Sequence, residues 1–156
     1  MIHYDVDEDA DEGFYMIRPG CLNFLRECSK YYEIVIFTAA VPEYADWIID
    51  RVDTEGHVVH RLYRHHTVSN DKVAIKDITR LGRDLSKTII IDNLEENFSL
   101  ISPNNGITVE SWFDDMSDNT LGLLTPFLTS IVKQDVSDVR FVLRRYGAAI
   151  KTCLES

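Results

Sequence analysis

The chain has 156 residues, 45% of them hydrophobic and 27% charged, a composition that suits one globular domain and excludes a disordered or fibrous chain. Twenty-six acidic residues against 16 basic ones give a net charge of −10. That balance disfavours a nucleic-acid backbone or an anionic membrane as main partner, because both reward excess Lys and Arg. Six of the acids, Asp5, Asp7, Glu8, Asp9, Asp11 and Glu12, crowd the N-terminal region, leaving 20 acidic against 16 basic residues elsewhere, so the body of the domain can present a basic pocket. No window approaches the roughly 18 apolar residues of a membrane-spanning helix. Met1 to Asp5 has neither a basic flank nor an apolar run, so no signal or transit peptide is expected.

In chain order, Phe14-Tyr15-Met16-Ile17 reads as a short strand ended by Arg18-Pro19-Gly20. Cys21 to Lys30 reads as a helix with Leu22, Leu25 and Cys28 at helical spacing. Cys21 and Cys28 share a face but lie two turns, about 10 Å, apart, and are expected as buried free thiols of a reducing compartment. Glu33 to Phe37 is a β-branched apolar run expected to be covered on both faces. Pro42 to Val52 is an amphipathic helix with Pro42 in its first turn. Val58 to Tyr63 is extended, His65 to Val73 a polar loop, and Lys76 to Leu81 a short helical turn. Thr88 to Asp92 is a second buried strand and Ile107-Thr108-Val109 a third. Ser117 to Val132 is helical, with Ser117 or Asp118 as N-cap and a kink at Pro126. Val136, Val139, Leu143, Tyr146 and Ile150 stripe a last helix. No repeat or linker divides the chain, so a single α/β domain over 1–156 with a largely parallel sheet is expected.

In such sheets function gathers at the carboxyl ends of the strands. Phe37-Thr38-Ala39 and Asp92-Asn93-Leu94 stand at two of them. Thr38 and the amides that follow can cradle a phosphate, and Asp92 and Asn93 offer hard oxygens suited to magnesium. The plainer readings are Thr38 or Asp92 as a structural cap and Lys76-Asp77 as a surface ion pair of little energetic weight.

Phe37-Thr38-Ala39-Ala40, Tyr44-Ala45-Asp46, Lys76 to Leu85, Ile90-Ile91-Asp92-Asn93 and Ser111 to Asp118 occur together and in order. In this set, from roughly Ile2 to Leu143, the chain resembles the small C-terminal-domain phosphatases and NLI-interacting-factor-like domains of the haloacid dehalogenase superfamily. The resemblance implies a Rossmann-like three-layer sandwich with a mostly parallel central sheet and a small β-hairpin near the N-terminus. It implies a magnesium-dependent phosphatase of phosphoserine or phosphothreonine in proteins, such as the RNA polymerase II tail, working through an aspartyl phosphate. Carried over by match, Thr38 and Lys76 hold phosphoryl oxygens and Asp92 and Asn93 serve the metal. Arg64 is a second cation near the phosphate, and Val41 and Tyr44 flank an apolar substrate groove. A nuclear address is the family default.

The family's first strand and its D-x-D-x-T, which carries the nucleophile, have no match. Asp5-Val6-Asp7-Glu8-Asp9 mimics that pattern, but only Met1 to Tyr4 precede it, and it fits the N-terminal hairpin better. The domain is therefore expected to lack an upstream central strand and to be inactive as it stands, with unpaired backbone on both strands beside the gap. Two other readings are a non-catalytic binding module like the mitochondrial translocase receptor subunit of the same family, and a zinc site from His57, His60, His65 and His66.

Overall fold

The computed structural model describes residues 2–7, 12–70 and 73–154. β1 (Ile2–Asp7) and β2 (Glu12–Ile17) form an antiparallel hairpin in register from Ile2 opposite Ile17 to Asp7 opposite Glu12. Of the acidic stretch, Asp5 and Asp7 lie on β1 and Glu12 on β2; Glu8, Asp9 and Asp11 lie outside the described residues. Gly20, at φ 80°, occupies the left-handed region that favours glycine and starts α1 (Cys21–Cys28). The buried stripe of α1 is Cys21, Phe24, Leu25 and Cys28. Leu22, counted in that stripe from its spacing, is instead 51% exposed.

β3 (Ile34–Phe37) runs through α2 (Pro42–Val52) to the parallel β4 (Val58–Leu62). Pro42 stands at the start of α2, where a missing N–H is harmless, and Ala45, Ile48, Ile49 and Val52 are its buried face. Asp53 accepts hydrogen bonds from the amides of His57 and Val58, which sets the turn into β4. The stretch expected as polar loop contains a second small hairpin, β5 (Val68–Asn70) against β6 (Val73–Ile75). A single helical turn at Ile78–Leu81 follows, with Asp77 accepting from the Thr79 amide.

β7 (Ile90–Asp92) pairs in parallel with β8 (Gly106–Thr108). A Cβ at Gly106 would lie 1.7 Å from the Phe98 ring, so only glycine lets that ring close the small core of Ile78, Ile90 and Phe98. α3 (Thr120–Lys133) begins three residues after the expected start at Ser117, with Asn119 and not Ser117 or Asp118 at its N-cap; the Asp118 carboxylate holds Arg18 and the Thr120 amide. α4 (Val139–Leu154) closes the described chain.

The main core lies where α1 meets α3, around Cys21, Leu25, Leu121 and Leu124. The expected α/β class and parallel strands are present, but not as one central sheet. Four two-stranded sheets are formed, and among the described residues no strand joins the pair β3–β4 to the pair β7–β8. β3, expected to be covered on both faces, is half-buried along its whole length.

Candidate active site

Thr38 directly follows β3. Its amide donates to the Leu62 carbonyl at 2.8 Å, extending the β3–β4 ladder, and its Oγ1 accepts from the Ala40 amide at 3.1 Å. That bond ties the turn and is not the helix cap read as the plainer alternative, for Val41 stands at the N-cap of α2; it leaves the hydroxyl proton to donate elsewhere. Arg64 clasps the same loop, with its amide on the Ala40 carbonyl at 2.9 Å and its Nε on the Ala39 carbonyl at 2.6 Å. The guanidinium is otherwise exposed, close to the loop that carries Thr38.

Lys76 does not pair with its neighbour Asp77. Its Nζ donates to Asp92 Oδ2 at 2.5 Å, with side-chain exposures of 13% and 1%. Asp92 Oδ1 accepts from the Leu94 amide at 3.0 Å and from Asn97 Nδ2 at 3.1 Å. The Asn97 carbonyl in turn receives the Lys76 amide at 2.6 Å. Asn97, which the sequence reading passed over, therefore grips both members of the ion pair; an Asn five residues after a strand-end Asp is the signal that could have found it. Asn93 donates from Nδ2 to Ser111 Oγ at 2.9 Å, which leaves its amide oxygen for a cation or water. Ser111 joins the site through that bond and also lines the cavity that Asn93 lines.

Thr38, Tyr44, Lys76, Asp92 and Asn93 line one cavity of about 900 Å³ that also runs the length of β3 and β7. Arg64 and Val41 are not in its wall; Val41 is 44% exposed at the start of α2. Asp46, inside the Tyr44-Ala45-Asp46 motif, lies outside the wall too. It accepts from Arg61 Nη1 and Tyr63 Oη, and the Arg61 guanidinium beside it holds its carboxyl below the usual range.

The four histidines do not converge. His57 bridges Ser29 and Glu55, His60 meets Glu33, and His66 accepts the Tyr63 amide while its ring lies 4.0 Å from that of His65. Cys21 and Cys28 are free and buried, and burial pushes the Cys28 thiol up to about 11, far from a nucleophile's range. Arg18, read from sequence only as a turn marker, is 3% exposed. It donates to both Asp118 oxygens, Thr120 Oγ1 and the Glu110 carbonyl.

Among the described residues no three His, Cys, Asp or Glu side chains gather as a metal set. Asp92 and the amide oxygen of Asn93 are hard donors of the kind magnesium takes, one or two at a time, with waters completing the shell. Asp92 already holds three donors, so Asn93 is the less committed of the two. As a partial set they fit that ion.

The profile of a family described as NLI interacting factor-like phosphatase matches residues 2–140. The chain is 40% identical over 144 residues to a "Probable C-terminal domain small phosphatase" of Dictyostelium discoideum, covering 92% of this chain and 46% of that protein. It is 36% identical over 145 residues to the CTD small phosphatase-like protein of Homo sapiens, covering 93% and 51%. It is also 41% identical over 130 residues to the mitochondrial import inner membrane translocase subunit TIM50 of Kluyveromyces lactis, covering 83% and 27%. The chain therefore spans about half the length of the two phosphatase relatives. In fold it is similar to the fission yeast RNA polymerase II CTD phosphatase Fcp1 bound to beryllium fluoride. There the TM-score is 0.54 at 20% identity, over 94% of this chain and 44% of that one.

Proposed function

The chain belongs to the NLI interacting factor-like phosphatase family, and from that premise we propose that it forms the phosphate-holding part of a magnesium-dependent phosphatase of phosphoserine or phosphothreonine in proteins. The observation that carries the reading is the Lys76 ammonium, 2.5 Å from Asp92 in the cavity that Thr38 also lines. Phosphoryl transfer demands little of a protein beyond position and neutralised charge. Lys76 supplies a fixed positive charge for the phosphoryl oxygens, with Asp92 holding its ammonium in place. Thr38 donates its hydroxyl proton to another oxygen, and Arg64 adds a second cation from the loop beside it. Val41 and Tyr44 flank the peptide. Magnesium, held by Asn93 and Asp92 with waters, would further neutralise the phosphate.

The carboxylate nucleophile belongs, on this reading, to an upstream strand that also joins the two parallel pairs into the central sheet of a three-layer sandwich. The residues 1–156 alone are then expected to grip a phosphopeptide without hydrolysing it. Calorimetric titration with a phosphoserine peptide tests this. Magnesium-enhanced binding is expected, and Lys76→Met should weaken it roughly tenfold to a hundredfold, the worth of a hydrogen bond to a charged group. Equal binding of the unphosphorylated peptide would overturn the reading. Hydrolysis of p-nitrophenyl phosphate that disappears in Asp5→Asn would instead place the nucleophile on β1.

A second reading, protein binding without chemistry and a mitochondrial address, is supported by the 41% identity to the translocase subunit. Binding of an unphosphorylated peptide without any need for magnesium would favour it over the phosphatase and its nuclear address.

A further inference from the structure

We infer that Asp46 is the positioning residue for Arg64, holding its guanidinium at the Thr38 loop through the Tyr63 hydroxyl. The inference deepens the reading above and rests on it for the phosphate, not for the hold on Arg64. Asp46 sits on α2 in the Tyr44-Ala45-Asp46 motif but, unlike Tyr44, does not line the cavity. Its bonds run to the segment that carries Arg64. Oδ1 accepts from Tyr63 Oη at 2.8 Å and from Arg61 Nη1 at 2.7 Å. Arg61 ends its turn on the same side of an extended chain as Tyr63, two residues on. Leu62, between them, takes the Thr38 amide on its carbonyl, and Arg64, after them, clasps the carbonyls of Ala39 and Ala40. The bonds close a ring. The loop at 38–41 leads into α2, α2 presents Asp46, Asp46 holds Tyr63, and the next residue returns to the loop.

Of the two donors on Asp46, one has a substitute. Arg61 also reaches Asp50 Oδ1 from Nη2 at 2.7 Å and stays anchored without Asp46. The Tyr63 hydroxyl has no other acceptor among the described residues. The Tyr63 backbone is fixed as well, its amide donating to His66 Nδ1 at 2.9 Å and its carbonyl accepting the His66 amide at 2.8 Å. With side chain, amide and carbonyl all engaged, Tyr63 sets the direction in which Arg64 leaves it. Arg64 spends Nε on Ala39, and among the described residues Nη1 and Nη2 donate to nothing. Two nitrogens of a held guanidinium thus stay open to an oxyanion, in the planar fork that suits phosphate. An arginine already held loses less rotamer freedom when the phosphate arrives. A half-exposed ion pair with Arg61 would be worth little and would need the charge of Asp46. Positioning needs only the accepting oxygen, because both donors end on Oδ1.

The test is calorimetry of the chain and its variants with a phosphoserine peptide. Asp46→Ala is expected to weaken binding about tenfold, the order of one hydrogen bond to a charged group, and Asp46→Asn to recover most of that loss. In an Arg64→Met background Asp46→Ala should change the affinity by less than about twofold, since the residue it acts through is gone. Equal losses in the Asn and Ala variants, or a tenfold loss that persists beside Arg64→Met, would overturn the inference. If Asp46→Ala does not fold, Tyr63→Phe, which removes only the hydroxyl, enters the same Arg64→Met cycle with the same outcomes. If the unaltered chain binds no phosphopeptide, the phosphatase reading falls, and Arg64 Nε–H decides the inference by itself. Its exchange with solvent, followed by nitrogen-edited NMR, should quicken in Asp46→Ala and return close to the original rate in Asp46→Asn. An unchanged rate in Asp46→Ala would overturn the hold on Arg64 whatever the ligand.

Discussion

Two apolar regions of this molecule, similar in composition, differ in how far they are buried. Where α1 meets α3, Cys21, Leu121 and Leu124 are at most 2% exposed. Along β3, Ile34, Val35, Ile36 and Phe37 are all half-buried, although they are as hydrophobic. A helix presents one stripe and needs one neighbour to cover it, and α1 has that neighbour in α3. A central strand needs two covered faces and two paired edges, and among the described residues β3 has one paired edge. Hydrophobicity marks what should be covered; the stabilisation, about 25 cal/mol per Å² removed from water, comes only with the covering.

The comparison can be broken most forcefully at Arg18, which binds the start of α3 through Asp118 and Thr120 on the well-packed side. Arg18→Met leaves Asp118, 14% exposed, without its cation. It should cost roughly 3–5 kcal/mol in urea unfolding. A loss below about 1 kcal/mol would show that this side is held by packing alone. Next come paired truncations. Leu124→Ala, at a side chain 1% exposed, should cost about 2–5 kcal/mol. Ile36→Ala in β3 should cost only about 1 kcal/mol, because less area is lost from contact. Equal losses would erase the distinction.

The smallest effect concerns the exposed ion pairs. Hydrogen bonding from Arg83 pulls the Glu33 carboxyl from its ordinary 4.5 to about 2, and Arg26 does the same to Glu55. Carboxyls lowered in the folded state contribute stability that is complete above about pH 4.5 and lost as pH falls toward 2. Acid unfolding curves should show that loss reduced in Glu33→Gln, with no change above pH 6. Both pairs are solvent-exposed, so the shift is expected to be slight.

The local patterns were legible and the long-range ones were not. α2 emerged residue for residue because Pro42 fixes its start and four apolar residues fix its face. Of the N-terminal hairpin, only the strand at Phe14 to Ile17 was legible from the residues; the hairpin itself came with the family resemblance. β5 and β6, three residues each, are too short to show a period, so His65 to Val73 read as loop. At the site, Thr38, Lys76, Asp92, Asn93 and Tyr44 do share one cavity. The plainer alternative for Lys76, a surface pair with Asp77, is the one that fails. Asp77 is adjacent to Lys76 in sequence, yet Asp92, sixteen residues on, receives the ammonium because the β7 strand end carries it there. Asn97 was passed over, and Ser111 stood in a motif without a role of its own, for the same reason: their importance lies in what the fold sets beside them.

The edges of β3 and β7 that have no strand partner among the described residues have a colloidal consequence. Unpaired strand edges are templates on which like molecules can assemble, and here they are rich in valine and isoleucine. What opposes such assembly at a distance is the net charge of −10, whose reach shrinks to roughly 3 Å in molar salt. Ionic strength, which leaves the fold's contacts nearly untouched, thereby governs how long this chain stays dispersed.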